Sequence, residues 1–181
     1  GYAHYMLKEI HEQPIALQST FTPRSHQRDW LPLSAREAQS LSKITLVACG
    51  TAYHAAVLGK YAVEKLARVP VDAEIASEYR YREPIIVPGQ MTIAISQSGE
   101  TADTLAALRL AKQNGSRTMA ICNVVGSSLV REAEHTLYTY AGPEIAVAST
   151  KAFLTQAEML LMLAVSLARL RKSAPEAELD R

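Results

Sequence analysis

The stretch "ISQSGETADTLAALRLA", Ile95–Ala111, decides the fold. Its first residues close an apolar run of strand length, Met91–Ser96, and its last ones have the spacing of a helix. Between the two lies a turn with hydroxyls at Ser96, Ser98 and Thr101, an amide at Gln97 and a glycine at Gly99. Neither lysine nor arginine sits in it. A buried strand that passes through a short polar turn straight into a helix is one βα unit, and such units repeat.

Upstream, Ile44–Cys49 is a first strand, followed by "GTAYHAAVLGKYAVEKLA" as a helix. The segment "VPVDAEIA", entered through Pro70, is a second strand, and a loop with Pro84 and Pro88 leads to the third, Met91–Ser96. A helix over Thr101–Asn114 ends at Gly115, which suits the residue after a helix C-cap. Arg117–Cys122 is a fourth strand, Ser127–Ala133 a short helix and Thr136–Tyr140 a fifth strand, before a long helix from Thr150. Continuously apolar strands alternating with helices predict a parallel sheet covered on both faces. The expected fold is α/β, a three-layer αβα sandwich with five strands in the flavodoxin-like order 2-1-3-4-5. Residues 1–43 read as an N-terminal helical segment packing on this unit. Within it, Pro14 kinks or divides a helix over Tyr2–Phe21, Thr22–Pro32 is a surface connection, and Ser34–Ser42 is a short helix. Residues 44–172 form the main domain, and 173–181 a frayed tail or severed linker.

Composition narrows the function. The 181 residues are 48% hydrophobic and 20% charged, which suits one globular domain rather than a disordered chain. A net charge of +1 with no basic run disfavours a nucleic-acid groove. Cys49 and Cys122 both end strand-like runs and read as reduced interior thiols, and the five histidines lack metal-ligand spacing. Lys8, Glu9, His11 and Glu12 interrupt any secretory apolar core. "AFLTQAEMLLMLAVSLARL", Ala152–Leu170, has the length of a membrane span. Gln156, Glu158, Ser166 and Arg169 break it, so it is read as a core helix buried by protein.

Open parallel sheets bind ligands beyond the carboxyl ends of their strands, where the strand order reverses. In a 2-1-3-4-5 sheet that place lies between strands one and three, so "CGTA", Cys49–Ala52, faces "SQSGET", Ser96–Thr101. A third turn, "VAST", Val147–Thr150, precedes the last helix. Backbone N–H groups and hydroxyls at positive helix ends make an anion site. Without a fixed cation it favours a phosphate monoester that comes and goes. The competing reading is capping alone, with Ser98 as an N-cap worth about 1 kcal/mol. Neither G-x-x-x-x-G-K-[ST] nor G-x-G-x-x-G after a strand is present. Around these turns, His54 faces the crevice, packs or lies exposed, and Glu100 complements its helix start. Lys151 opposes its helix dipole and either approaches the ligand or is solvated, whereas Glu144 has no decisive context. No acid/base pair emerges from spacing.

The motifs "ACGTAYHAA", "EIASEYRYRE", "ISQSGETADTLAALRLAK", "AICNVVGSSLVRE" and "AGPEIAVASTKAFLTQ" resemble the first sugar isomerase (SIS) subdomain of the glutamine–fructose-6-phosphate aminotransferase family. The opening "HYMLKEIHEQP" is similar to the helix that begins the isomerase region there, so the resemblance covers residues 2–172. It implies a site for fructose 6-phosphate and glucosamine 6-phosphate and no cofactor. By that resemblance Ser96, Gln97, Ser98 and Thr101 form the phosphate cradle, Cys49, Gly50 and Thr51 the facing turn, and Val147, Ala148 and Ser149 the segment touching the sugar. Ala52 stands where the family often has serine. The resemblance also implies partners: a glutaminase domain, a second SIS subdomain carrying the catalytic groups, and a cytoplasmic homodimer. None of those further motifs occurs, so the chain is read as a piece that binds sugar phosphate without catalysing. A stand-alone aldose–ketose isomerase using Glu158, Glu144 or His54 and a non-enzymatic phosphosugar sensor are the alternatives. Residues 1–43 lack the basic charge of a DNA-binding helix-turn-helix.

Overall fold

The computed structural model describes residues 1–179. Five parallel strands form one sheet: β1 (Lys43–Ala48), β2 (Val71–Ile75), β3 (Gln90–Ser96), β4 (Arg117–Cys122) and β5 (His135–Tyr138). Their order is β2-β1-β3-β4-β5, as predicted. Ala48 pairs in register with Ile95, so the chain leaves β1 and β3 side by side.

Alternation along the strands sorts the helices into two layers. Ile44, Leu46, Ile93, Ile95, Met119 and Ile121 point to one face, where α3 (Thr51–Leu66) and α7 (Lys151–Arg171) cover them. Val47, Ala94 and Ala120 point to the other, under α4 (Ala76–Tyr81), α5 (Ala102–Gln113) and α6 (Ser128–Glu132). The small residues on this second face let α5 sit close to the sheet. Beyond α5, Gly115 and Ser116 donate to the carbonyls of Lys112 and Ala111, both at 3.0 Å, closing the helix as expected.

The helix α7 meets the length and hydropathy of a membrane span, yet Met159, Leu160, Leu163, Ala164, Leu167 and Ala168 are buried against the sheet layer. It is a core helix. The guanidinium of Arg171, at its end, donates to Ala67 O (2.9 Å) and Ala38 O (2.5 Å), tying down the carbonyl ends of α3 and α2 (Ala35–Ser40).

Three segments differ from the sequence reading. The first helix, α1 (Tyr5–Ser25), runs as one element through Pro14. Proline removes the donor that Ile10 O would receive, and the Gln13 side-chain amide takes its place at 2.8 Å. Helix α4 falls where a loop was expected. The segment after residue 172, expected to fray, forms α8 (Glu176–Leu179), with Leu179 in the core; the last two tail residues, 180 and 181, lie outside the described residues.

Where α1 crosses α7, Arg24 donates to Tyr138 O at 2.6 Å and its guanidinium lies over the Trp30 ring. Nearby, Glu158 on α7 keeps Oε2 buried with no partner among the described residues. Burial pushes its carboxyl up to about 7, against the pull of Arg24. In the unfolded chain the group ionises near its ordinary 4.5. Between those two values the folded state holds more protons, so stability falls as pH rises. Glu158→Gln is expected to flatten that slope and to raise the Tm at pH 8 relative to the parent, read from melting curves between pH 5 and 8.

Candidate functional site

The crevice lies where α3 and α5 leave adjacent strands toward opposite faces of the sheet. It has a volume of about 220 Å3 and is lined by the ends of β1 and β3, the loop before α7, and α7 itself. Cys49, Thr51, Ser96, Gln97, Ser98, Thr101, Val147 and Ser149 all line it. Gly50 and Ala148, grouped with them on sequence, are exposed and do not. Gly50 instead supplies the left-handed backbone (φ +58°) that turns β1 into α3.

The hydroxyls of the β3 turn do not cap α5. The Ser96 hydroxyl accepts from Gly99 N at 3.0 Å and pairs with the Thr101 hydroxyl at 3.0 Å, which fixes the turn from within. Ser98 Oγ accepts only from Glu100 N, at 3.2 Å. Thr101 is the N-cap residue of α5, yet its side chain makes no cap bond, and Gly50 before α3 has none to offer. Two uncapped helix starts therefore open on one crevice. Among the described residues, Ser98 N and Thr101 N have no acceptor in the chain. No lysine or arginine among the described residues lines the crevice. Glu100 complements α6 rather than its own helix, accepting from Ser128 N at 2.7 Å, and that bond holds its carboxyl below the usual range.

The third turn is different. Glu144 caps α7: its carboxylate accepts from Thr150 N (2.8 Å), Ala152 N (3.2 Å) and the Ser149 hydroxyl (2.9 Å). A carboxylate already fills the anion position at this helix start, and the amides of Thr150 and Ala152 are committed to it. Glu144 is a crevice-lining residue that the sequence left without context.

Helix α1 holds the same loop from outside. Glu9, 2% exposed, accepts from Ile145 N (2.6 Å) and Ala146 N (3.2 Å). Lys151 is neither solvated nor at the crevice; it is 3% exposed and paired with Glu12 at 2.7 Å. His54 is exposed beside Tyr53 and does not line the site. Glu9→Ala would leave two amides of the loop without their acceptor, at a cost of about 2 kcal/mol. Urea denaturation is expected to show that loss, and hydrogen exchange to show faster exchange at Ile145 and Ala146.

Ala52, Ile95, Ala146 and Gln156 complete the lining. Gln156 had a sequence signal: it interrupts the apolar stripe that Ala152, Met159, Leu160 and Leu163 draw along α7.

A family model described as the SIS domain matches residues 39–166. The glutamine–fructose-6-phosphate aminotransferase (isomerizing) of Clostridium tetani is 54% identical across 99% of this chain, and that of Symbiobacterium thermophilum 56% identical across 91%. The chain spans only 30% and 28% of those proteins. The structure of the C-terminal domain of glucosamine-fructose-6-phosphate aminotransferase from Francisella tularensis superposes with a TM-score of 0.94 at 45% identity, covering 99% of this chain and 51% of that one.

Proposed function

The chain belongs to the SIS domain family, and from that premise we propose that its strand-end crevice binds the phosphate of fructose 6-phosphate and glucosamine 6-phosphate. One observation carries the reading: two uncapped helix starts and their hydroxyls open on a crevice that no cationic side chain among the described residues lines. The phosphate lies between α3 and α5, held by Ser96, Gln97, Ser98 and Thr101 with the backbone of Thr51. The sugar extends toward Val147 and Ser149. Four charge-assisted bonds of about 1.5 kcal/mol each correspond to a Kd of tens of micromolar, the range in which a metabolite exchanges readily.

For the whole protein we propose transfer of ammonia from glutamine to fructose 6-phosphate, with isomerisation to glucosamine 6-phosphate. The chain supplies the grip on a group that does not react, and that grip positions the reacting carbons against groups carried by a second SIS unit. A glutaminase domain, a homodimeric assembly and a cytoplasmic location belong to the same proposal. A stand-alone isomerase draws less support, because among the described residues Glu144 is the one carboxylate lining the crevice and its oxygens are engaged as a helix cap. Calorimetric titration with glucosamine 6-phosphate and with glucosamine tests the reading. Binding of the phosphate ester alone is expected; equal affinity for the two would defeat it.

A further inference from the structure

Gln156 is a buried glutamine that lines the crevice. The side chain belongs to a residue 3% exposed on α7, and its Oε1 is buried with no partner among the described residues. Ala52, Ile95 and Ala146, which share the lining, offer that oxygen no side-chain donor. A buried carbonyl left unpaired is destabilising unless a ligand donates to it.

The chemistry of the ligand decides what that donor is. A dianionic phosphate has no proton to give at neutral pH, so the phosphate cannot satisfy Gln156. The donors on fructose 6-phosphate are the hydroxyls of its carbon chain. We propose that Gln156 is a specificity-determining residue of this site, its amide carbonyl accepting a hydrogen bond from a hydroxyl of the carbon chain that the phosphate anchors. The inference rests on the sugar-phosphate reading of the crevice. It adds that the floor of the site, on α7, discriminates polyol phosphates from plain phosphate esters, while the turns before α3 and α5 do not.

The test compares fructose 6-phosphate with methyl phosphate, which keeps the ester and lacks the hydroxyl chain. Both are titrated into the parent chain, into Gln156→Leu and into Gln156→Met, the last keeping an unbranched side chain of the same length. The parent is expected to bind fructose 6-phosphate more tightly than methyl phosphate. Each variant is expected to lose about tenfold for fructose 6-phosphate and less than twofold for methyl phosphate. The Tm of both variants is expected to stay level or rise, because an apolar group replaces an unpaired buried carbonyl. Equal losses for the two ligands together with a lowered Tm would make Gln156 a structural residue and overturn the inference. So would a parent that binds both ligands equally, although phosphate recognition by the turns would stand. Failure of the parent to bind either ligand would overturn the phosphate reading and this inference together.

Discussion

Gly99→Ala is expected to destabilise the chain by about 3 kcal/mol, and the loss should appear as a lowered urea midpoint with an unchanged slope. Gly99 has φ +67°, where an added Cβ costs about 1–2 kcal/mol by itself. The new atom would also lie 2.6 Å from Ser127 Cβ and 2.7 Å from Cys122 Sγ, and would collide with the Ser127 hydroxyl. Neither neighbour has room to retreat: Cys122 is fully buried at the end of β4, and Ser127 is 4% exposed at the start of α6. Overpacking of that kind costs roughly 1–3 kcal/mol more. Any relief would have to come from the turn itself, whose Gly99 N–H and C=O are committed to Ser96 Oγ and Leu129 N. Relief therefore displaces the hydroxyls that face the crevice, and sugar-phosphate binding should weaken along with stability. Adding Ser127→Ala to the variant removes the colliding oxygen and is expected to restore part of the midpoint. An unchanged midpoint in Gly99→Ala would mean that the turn is looser than its contacts imply.

What the sequence makes legible here is whatever one element decides by itself. Strand β4 is predicted to the residue, because Gly115 and Ser116 stop the helix before it and every residue from Thr118 to Cys122 is buried. The strand order brings the two hydroxyl-bearing turns together, so Cys49 and Thr51 after β1 line one crevice with Ser96, Gln97, Ser98 and Thr101. Helix α4 escapes because it is six residues long, follows Ile75 as an N-cap residue that offers no side-chain bond, and runs toward Pro84. Contacts between distant segments are beyond local pattern. Glu144 becomes a cap only because the loop folds its carboxylate back over α7. Lys151 opposes its helix dipole, and the compensation comes from Glu12, 139 positions earlier in the chain. Glu9 likewise sits in a helix that reads as an outlying polar segment, yet it fixes the path of Ile145 and Ala146. The family model begins at residue 39, so this part of the site's support lies outside the residues it matches.

Ser98→Ala combined with Thr101→Val is expected to weaken glucosamine 6-phosphate binding about a hundredfold, at a cost in stability of about 1 kcal/mol. Each hydroxyl lost from a phosphate contact removes a charge-assisted bond of about 1.5 kcal/mol, and two such losses correspond to that factor. With Thr101 the folded chain loses the pairing of its hydroxyl with Ser96 Oγ at 3.0 Å, worth about 1 kcal/mol, and with Ser98 only an exposed contact. Ser98 Oγ serves Glu100 N, which is exposed and can turn to water. Thr101 makes no cap bond to α5, and valine keeps its branched shape; Ser96 Oγ still accepts from Gly99 N. If the hydroxyls were caps, losing an N-cap would cost about 1 kcal/mol of stability and nothing in affinity. Affinity therefore separates the two accounts, whereas both lower the Tm. Calorimetry on the double variant is the deciding measurement, and a lowered Tm with unchanged affinity would reduce the crevice to ordinary helix ends.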